Sequence, residues 1–368
     1  MRKHVLTTQP TTTGLKLPTS SPEETRPKTT DDARTHTALP SSAEMQCAFP
    51  SGPLRAQKRG LYTDLRYPLF TELPACEDRH NPIPANRAHG ALPRGVQAKQ
   101  TRKETMDPLF AQELCELNNR FYRTWADSFS DTRHNTWPGW NRCLKESGLT
   151  DRPLPHQKQL HVLDVACGNL RFERHLARSI PNAIIEVQAL DACDQLAQNG
   201  IQLPSNVFAS FTHCDVMEEL RSDTLADALR FDTQADLSVS FGFLHHIPLP
   251  EWRATFLKAL VRATKPGGFS CVSLWRFLTD EGLAAKAEES TASGIAELGY
   301  PKEQFGKGDC LLGWKNEKGA YRYCHSFSDE EINDLVSAVS NEAYLKARFQ
   351  ADGRTGTLNE YLVFQRKR

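Results

Sequence analysis

Val162-Leu-Asp-Val-Ala-Cys-Gly-Asn-Leu-Arg-Phe172 is the stretch on which the fold turns. An apolar run broken by one acid reads as a buried strand, and the glycine behind it allows a tight turn. His161–Val165 is therefore expected as a strand and Phe172–Ile180 as the helix it feeds. The alternation repeats outward from this unit. Ala183–Leu190 reads as strand, Cys193–Gln198 as a short helix, and Val207–Cys214 and Ala235–Phe241 as strands. Glu251–Thr264 is amphipathic, with Trp252, Phe256, Leu257, Leu260 and Val261 on one face, and Phe269–Trp275 gives a fifth strand. Parallel-type strands separated by helices predict an α/β fold with a doubly wound sheet. Downstream, a strand at Tyr321–Phe327, a helix at Asp329–Val339 and strands at Tyr344–Phe349 and Leu358–Gln365 complete it, the last antiparallel. Upstream, Leu109, Phe110, Leu114, Leu117, Phe121, Tyr122, Trp125 and Phe129 recur at helical spacing, and a short helix follows Pro138, ending near Gly148.

The rest of the 368 residues bounds the answer. No apolar run approaches the roughly 18 residues of a membrane span, and the first twenty residues lack the apolar core of a secretory signal. Residues 1–105 hold 12 of the 22 prolines, and 11 threonines fall within the first 40 positions, with no sustained hydrophobic period. Such a stretch does not bury enough apolar surface to offset its ordering entropy, so it is expected to be disordered. The domain is expected over 106–368, and Met106 stands as a natural start of translation. The net charge of zero divides unevenly: 16 Lys and Arg against 10 Asp and Glu in residues 1–105, then 29 against 35. A solvated tail accounts for the basic part better than a nucleic-acid-binding arm. Ten scattered cysteines form no CxxC and no tight Cys/His spacing, the pattern of a reduced, cytoplasmic protein without structural metal.

In an open parallel sheet, ligands bind beyond the carboxyl ends of the strands. A dinucleotide site wants GxGxxG, and this turn offers only Gly168. S-adenosylmethionine carries no phosphate and needs a less stripped loop. Asp164 is placed to anchor that loop or reach the cofactor ammonium, with the backbone of Ala166 and Gly168 facing its methionine part. Asp191 ends the second strand, placed for the ribose hydroxyls, and Asp215 ends the third, placed for the adenine amino group. Each acid alone reads equally well as a helix cap or turn former. Lys265-Pro-Gly-Gly268, a helix stop by itself, completes the pattern of class I methyltransferases when joined to Asp164-x-x-Cys-Gly-Asn169.

Tyr122-x-x-x-Ala-x-x-Phe-Ser-x-Thr-Arg133, Trp137-Pro138, Cys167-Gly-Asn-x-Arg-Phe172, Leu244-His-His246, Gly308–Trp314 and Arg322-Tyr-x-His-x-Phe327 together resemble the tRNA wobble-uridine carboxymethyl methyltransferases, the family containing the methyltransferase domain of AlkB homologue 8. The resemblance covers about residues 107–368. It departs from the family loop DxGCGNG at Ala166 and Leu170, and from the usual ending at Asp352–Asn359. It implies methyl esterification of a carboxymethyl group on tRNA, often with a small helper protein, and no DNA or membrane partner.

A carboxylate is already a nucleophile at neutral pH, so alignment and water exclusion are the protein's task. Planar arginine donors suit it, which makes Arg133 and Arg276 the candidates to hold the substrate, with His246 orienting it. By the family match Tyr122 is a lid over the cofactor. Trp137 and Trp314 are placed to stack on a base, and His245, Arg322 and His325 to line the acceptor side. Each has a plainer reading as core, rim or solvated face. Two other functions stay open at this point, a small-molecule O- or N-methyltransferase and a catalytically silent binding module.

Overall fold

A computed structural model of the chain describes residues 3–5, 106–151, 158–198 and 202–368. The rest of residues 1–105 lies outside the described residues, and with it the expectation of disorder there. Within that segment Lys3–Val5 forms a strand, β1. It pairs antiparallel with Ser210–Thr212, at what is otherwise a free sheet edge whose unpaired N–H and C=O groups invite another strand.

Order in the main body begins at α1 (Pro108–Ser130), capped by Asp107, whose Oδ1 accepts from Leu109 N and Phe110 N at 2.8 and 3.3 Å. Then follow α2 (Pro138–Glu146), β2 (Gln159–Val165), α3 (Arg171–Ser179), β3 (Ile184–Asp191), α4 (Asp194–Gln198) and β4 (Val207–His213). The second half has α5 (Val216–Arg221), α6 (Leu225–Ala228), β5 (Ala235–Ser240), α7 (Pro250–Ala263) and β6 (Thr264–Trp275). It closes with α8 (Glu281–Leu298), β7 (Asp309–Gly313), β8 (Tyr321–His325), α9 (Asp329–Ala338), β9 (Ala343–Ala351) and β10 (Asn359–Arg366).

The large sheet runs β1-β4-β3-β2-β5-β6-β10-β9. Strands β4, β3, β2, β5 and β6 are parallel, and β10 enters antiparallel between β6 and β9. Chain order reverses between β2 and β5, which places the ligand crevice outside their carboxyl ends. The sheet is covered on both faces. Trp140, Leu144, Phe172 and Leu176 pack on one side, and Leu244, Phe256, Leu260 and Ile332 on the other. This is the expected doubly wound architecture. Lys265–Gly268, expected as a helix stop and tight turn, runs instead within the irregular start of β6, with a register shift opposite Ala235 and Leu237. Gly267 takes φ +79°, and a Cβ on Gly268 would sit 2.8 Å from the Asp236 carbonyl, so both glycines are required.

Besides β1 and the short helices α5 and α6, two elements escaped the sequence reading, helix α8 and strand β7. They form with β8 a small layer over the crevice, in which β7 and β8 pair antiparallel from Asp309–His325 to Gly313–Tyr321. A buried polar network fastens this layer to the sheet. His325 is held between two carboxylates, Nδ1 at 2.7 Å from Asp309 Oδ1 and Nε2 at 2.7 Å from Glu331 Oε1. Glu331 also takes Arg253 and closes the capping box of α9 with Ser328. Burial alone would push the Glu331 carboxyl up, but the hydrogen bonds and charge of His325, with Ser328, outweigh it and pull it down to about 2. A depressed carboxyl stabilises the fold above its ordinary value of about 4.5 and loses that contribution as pH falls towards about 2. Glu331→Gln is expected to cost about 1–3 kcal/mol at neutral pH, because it leaves Arg253 short of a counter-charge. It also removes part of the acid limb, and urea unfolding at pH 7 and pH 3 measures both.

Candidate active site

The turn after β2 is wound tightly, with Ala166, Gly168 and Leu170 at φ of 62, 55 and 57°. Two of these left-handed positions carry side chains, a strain of about 1–2 kcal/mol each. Leu170 is buried in the core beside Phe172, so its side chain packs rather than narrows the loop. A Cβ on Gly168 would meet nothing within 4 Å, so the backbone there borders open space. Asp191, at the end of β3, ties the loop down, accepting from Gly168 N at 2.9 Å and Cys193 N at 2.8 Å. Each carboxylate oxygen keeps a second lone pair for a hydroxyl. Burial raises the Asp191 carboxyl above the usual range, against the pull of those backbone N–H groups.

Asp164 sits beneath the loop, buried against the fully buried Glu173. Burial, then the charge and hydrogen bond of Glu173, hold its carboxyl well above the usual range. Asp215 serves as a helix cap. Its Oδ1 caps α5 through Met217 N and Glu218 N, and its Oδ2 accepts from Asn119 of α1 at 2.7 Å, so the plainer reading as a helix cap describes it.

The crevice itself gathers Tyr122, Arg133, His245, His246, Trp314 and Arg322. His246 joins three elements. Its Nε2 is 2.8 Å from the Tyr122 hydroxyl on α1, and its Nδ1 is 2.9 Å from the Tyr323 carbonyl on β8. Its ring centroid lies 4.1 Å from that of His245, which in turn leans on Trp275 at 5.1 Å. Both imidazoles are buried, and burial drives the pKa of His246 down to about 3. Arg133 lies 3.6 Å over the Phe129 ring and 5.5 Å from Trp314. Arg322 approaches Phe121, Trp314 and Phe129 at 5.1, 5.4 and 5.9 Å. Only 7% of Arg322 is exposed, yet its Nη1 has no hydrogen-bond partner. Burial pulls the Arg133 guanidinium down to about 10. Among the described residues, neither guanidinium meets a carboxylate.

Two candidates lie elsewhere. Arg276 is fixed by Asp329, at 3.2 and 3.0 Å, and by the buried Glu360 at 3.0 Å, leaving it no fork for a substrate. His325 has both nitrogens spent on Asp309 and Glu331 and fastens the fold instead of lining the site. Trp137 packs on Trp140 at 5.4 Å beneath Arg171 at 5.3 Å, its ring edge 3.0 Å from where a Gly242 Cβ would stand. It therefore borders the carboxyl end of β5. Missed from the sequence are Asn169, which donates to Ser130 Oγ and the Arg133 carbonyl, and Lys315, which donates to Ser128 Oγ. Asn118, a polar residue inside the apolar stripe of α1, was the detectable signal. His245, His246 and Cys324 also bring three metal-type donor atoms within 4.8 Å. The group does not suit a cation, because both nitrogens of His246 are bonded and the charges of Arg133 and Arg322 bear on the pair.

The fold and this crevice define a class I methyltransferase, with S-adenosylmethionine as its cofactor. The family described as "Methyltransferase domain" matches residues 163–272. The chain is 23% identical over 294 residues to the mouse tRNA (carboxymethyluridine(34)-5-O)-methyltransferase ALKBH8, covering 80% of this chain and 34% of that protein. The protein of the same description from Xenopus tropicalis is 24% identical over 341 residues, covering 80% and 47%. The chain thus spans between a third and a half of these relatives' lengths. A solved S-adenosylmethionine-dependent methyltransferase from Methanosarcina mazei is 16% identical, with a TM-score of 0.42 and coverage of 64% of this chain and 99% of that one.

The donor set fits S-adenosylmethionine: an acid with free lone pairs at the end of β3 and an open backbone cradle at Gly168. Asp191→Ala is expected to abolish measurable binding of S-adenosylmethionine in calorimetry while thermal unfolding stays cooperative. In the wild type, affinity should weaken on acidification from a pH above the ordinary aspartate value of about 3.9, because the raised carboxyl protonates early.

Proposed function

We propose that this methyltransferase esterifies a carboxylate carried on an RNA base, in the manner of wobble carboxymethyluridine in tRNA. The observation that carries this reading is the pair Arg133 and Arg322, one half-buried and one buried guanidinium to which the described residues offer no carboxylate, set against the rings of Phe129 and Trp314. The other buried arginines, Arg253 and Arg276, each have carboxylates of their own. A buried cation lacking its counter-charge calls for an anionic ligand. The names of the mouse and frog relatives agree with a carboxylate acceptor on tRNA.

When bound, S-adenosylmethionine supplies an electrophilic methyl group on a sulfonium. The carboxylate oxygen forms the new O–CH3 bond as the S–CH3 bond breaks, and no proton is transferred. Arg322 and Arg133 hold and desolvate the carboxylate, and the neutral His246–Tyr122 pair borders the reacting atoms without adding a competing charge. Trp137 and Trp314 offer faces to a base, and Lys315 and Arg171 offer positive charge to a phosphate backbone. The net charge of residues 106–368, with 29 Lys and Arg against 35 Asp and Glu, favours a second reading, a small carboxylic acid as acceptor. Residues 106–368 as the complete catalytic domain, and a small activating protein, belong to the same proposal.

Full-length protein with methyl-labelled S-adenosylmethionine and total tRNA is the direct test. The expected product is labelled tRNA whose label is released by mild alkali, as a methyl ester requires. Alkali-stable label places the chemistry on another atom. Absence of label with cofactor binding intact points to a small acid or a missing partner. Arg322→Gln should lower turnover by about 10- to 100-fold, from loss of charged hydrogen bonds to the acceptor. Its affinity for S-adenosylmethionine should change far less.

A further inference from the structure

Asn118 of α1 is buried, one helical turn before Tyr122, and belongs to none of the motifs above. Its side-chain amide clasps the peptide of Tyr323. Oδ1 accepts from Tyr323 N at 2.7 Å, and Nδ2 donates to the Tyr323 carbonyl at 3.1 Å. The same Nδ2 lies 3.2 Å from His246 Nδ1. Three polar groups thus meet around one carbonyl oxygen, and their donor and acceptor roles follow from what each group is able to do.

A carbonyl oxygen only accepts, so the 2.9 Å contact between His246 Nδ1 and Tyr323 O needs a proton on Nδ1. The alternative, an unprotonated Nδ1 accepting from Asn118, would press two lone pairs together at that distance. Burial holds the imidazole neutral down to about pH 3, so the other nitrogen, Nε2, carries the lone pair. Nε2 then accepts, and the Tyr122 hydroxyl 2.8 Å away must donate to it. Burial keeps that phenol protonated up to about 12. The Tyr122 proton is committed inward, and only the oxygen's lone pairs remain for the crevice.

We propose that Asn118 is a positioning residue which, by fixing the Tyr323 peptide, sets the His246 tautomer and so makes Tyr122 present an acceptor oxygen towards the cofactor's sulfonium. The inference rests on the reading that Tyr122 faces the cofactor. A sulfonium spreads positive charge over its methyl hydrogens, and an oxygen lone pair attracts it where a hydroxyl proton would repel it. S-adenosylhomocysteine, the product, has neither the charge nor the methyl group. The relay therefore discriminates between cofactor and product, the preference a turnover cycle needs.

Two readouts test this on the full-length protein without any acceptor. The first is nitrogen-15 NMR of histidine-labelled protein at pH 7, with the His246 resonances assigned through His246→Gln. The expected pattern is a neutral ring protonated on Nδ1. A ring protonated on Nε2, or an imidazolium, overturns the proposal from the wild type alone, whatever the variants do. The second is calorimetry with S-adenosylmethionine and S-adenosylhomocysteine on wild type, Asn118→Leu and Tyr122→Phe. Leucine keeps the volume of Asn118 and deletes its bonds, so a residue that only packs would leave both the NMR pattern and the affinities unchanged. The expected result is a mixed tautomer in Asn118→Leu and a fall of about 3- to 10-fold in the preference for S-adenosylmethionine over S-adenosylhomocysteine. Equal weakening of both ligands in Asn118→Leu and Tyr122→Phe overturns the proposal, even with the tautomer as expected. Tyr122→Phe carries the binding test if Asn118→Leu fails to fold. Wild-type protein that binds neither ligand overturns the cofactor reading itself.

Discussion

A buried strand edge has to find partners for its N–H and C=O groups, and at β8 that requirement shapes the whole crevice. Among the described residues strand β8 pairs with β7 alone, so the outward peptide of Tyr323 is left to bond elsewhere. Asn118 serves as a surrogate strand, and the ring of His246 takes the remaining position on the carbonyl. These contacts dock α1 onto the small layer and bring Tyr122 above the turn after β5. The helix that carries Tyr122 and leads to Arg133 also packs through Phe110, Leu114 and Leu117. Apolar packing of that kind holds a helix on a surface but leaves its rotation loosely set. The polar clasp, with the bonds of Asn119 to Asp215 and of Ser128 to Trp314 and Lys315, fixes the rotation.

The sheet was legible because its strands are short, apolar and separated by helices with one greasy face, a pattern that depends on local sequence alone. Helix α8 was not, for a physical reason. Its sequence is Glu-Gly-Leu-Ala-Ala-Lys-Ala-Glu-Glu-Ser-Thr-Ala-Ser-Gly-Ile-Ala-Glu-Leu, and only Ala287 and Gly294 are buried. A Cβ on Gly294 would stand 3.1 Å from Leu311, so this helix approaches β7 through small residues and shows no large-residue stripe. Strand β7 shares the obscurity, since five residues between loops carry little periodic signal.

The site was legible in its types and only partly in its positions. Arginine was the residue to seek for a carboxylate, and the chain has several that are buried. What sorts them is the company each keeps, which arrives from far along the sequence. Arg276 meets Asp329 and Glu360, 53 and 84 residues away, and is neutralised. Arg322 meets aromatic rings and keeps its charge unspent. On a regular strand, alternation would turn one of His245 and His246 away. The short 3-10 turn at Leu244–His246 breaks that alternation and keeps both rings buried side by side. Asp215 followed the common rule that an acid at a strand end caps the next helix.

The layer formed by α8, β7 and β8 enters the chain as one insertion, between β6 and α9, on the rim of a sheet whose other half holds the cofactor turn. The division separates two evolutionary pressures. Changes in the insertion are free to retune which acceptor is gripped, since Trp314 and Arg322 both reside there, while the turn at Ala166–Leu170 and the acid Asp191 are left untouched. Drift is restrained chiefly where the halves meet, at the Tyr323 carbonyl. That contact is made by main chain, while the fully buried Tyr323 side chain is held separately, its hydroxyl bonded to Asp309 and Arg253. A scaffold of this kind acquires new acceptors by exchanging a lid, and keeps its methyl donor while doing so.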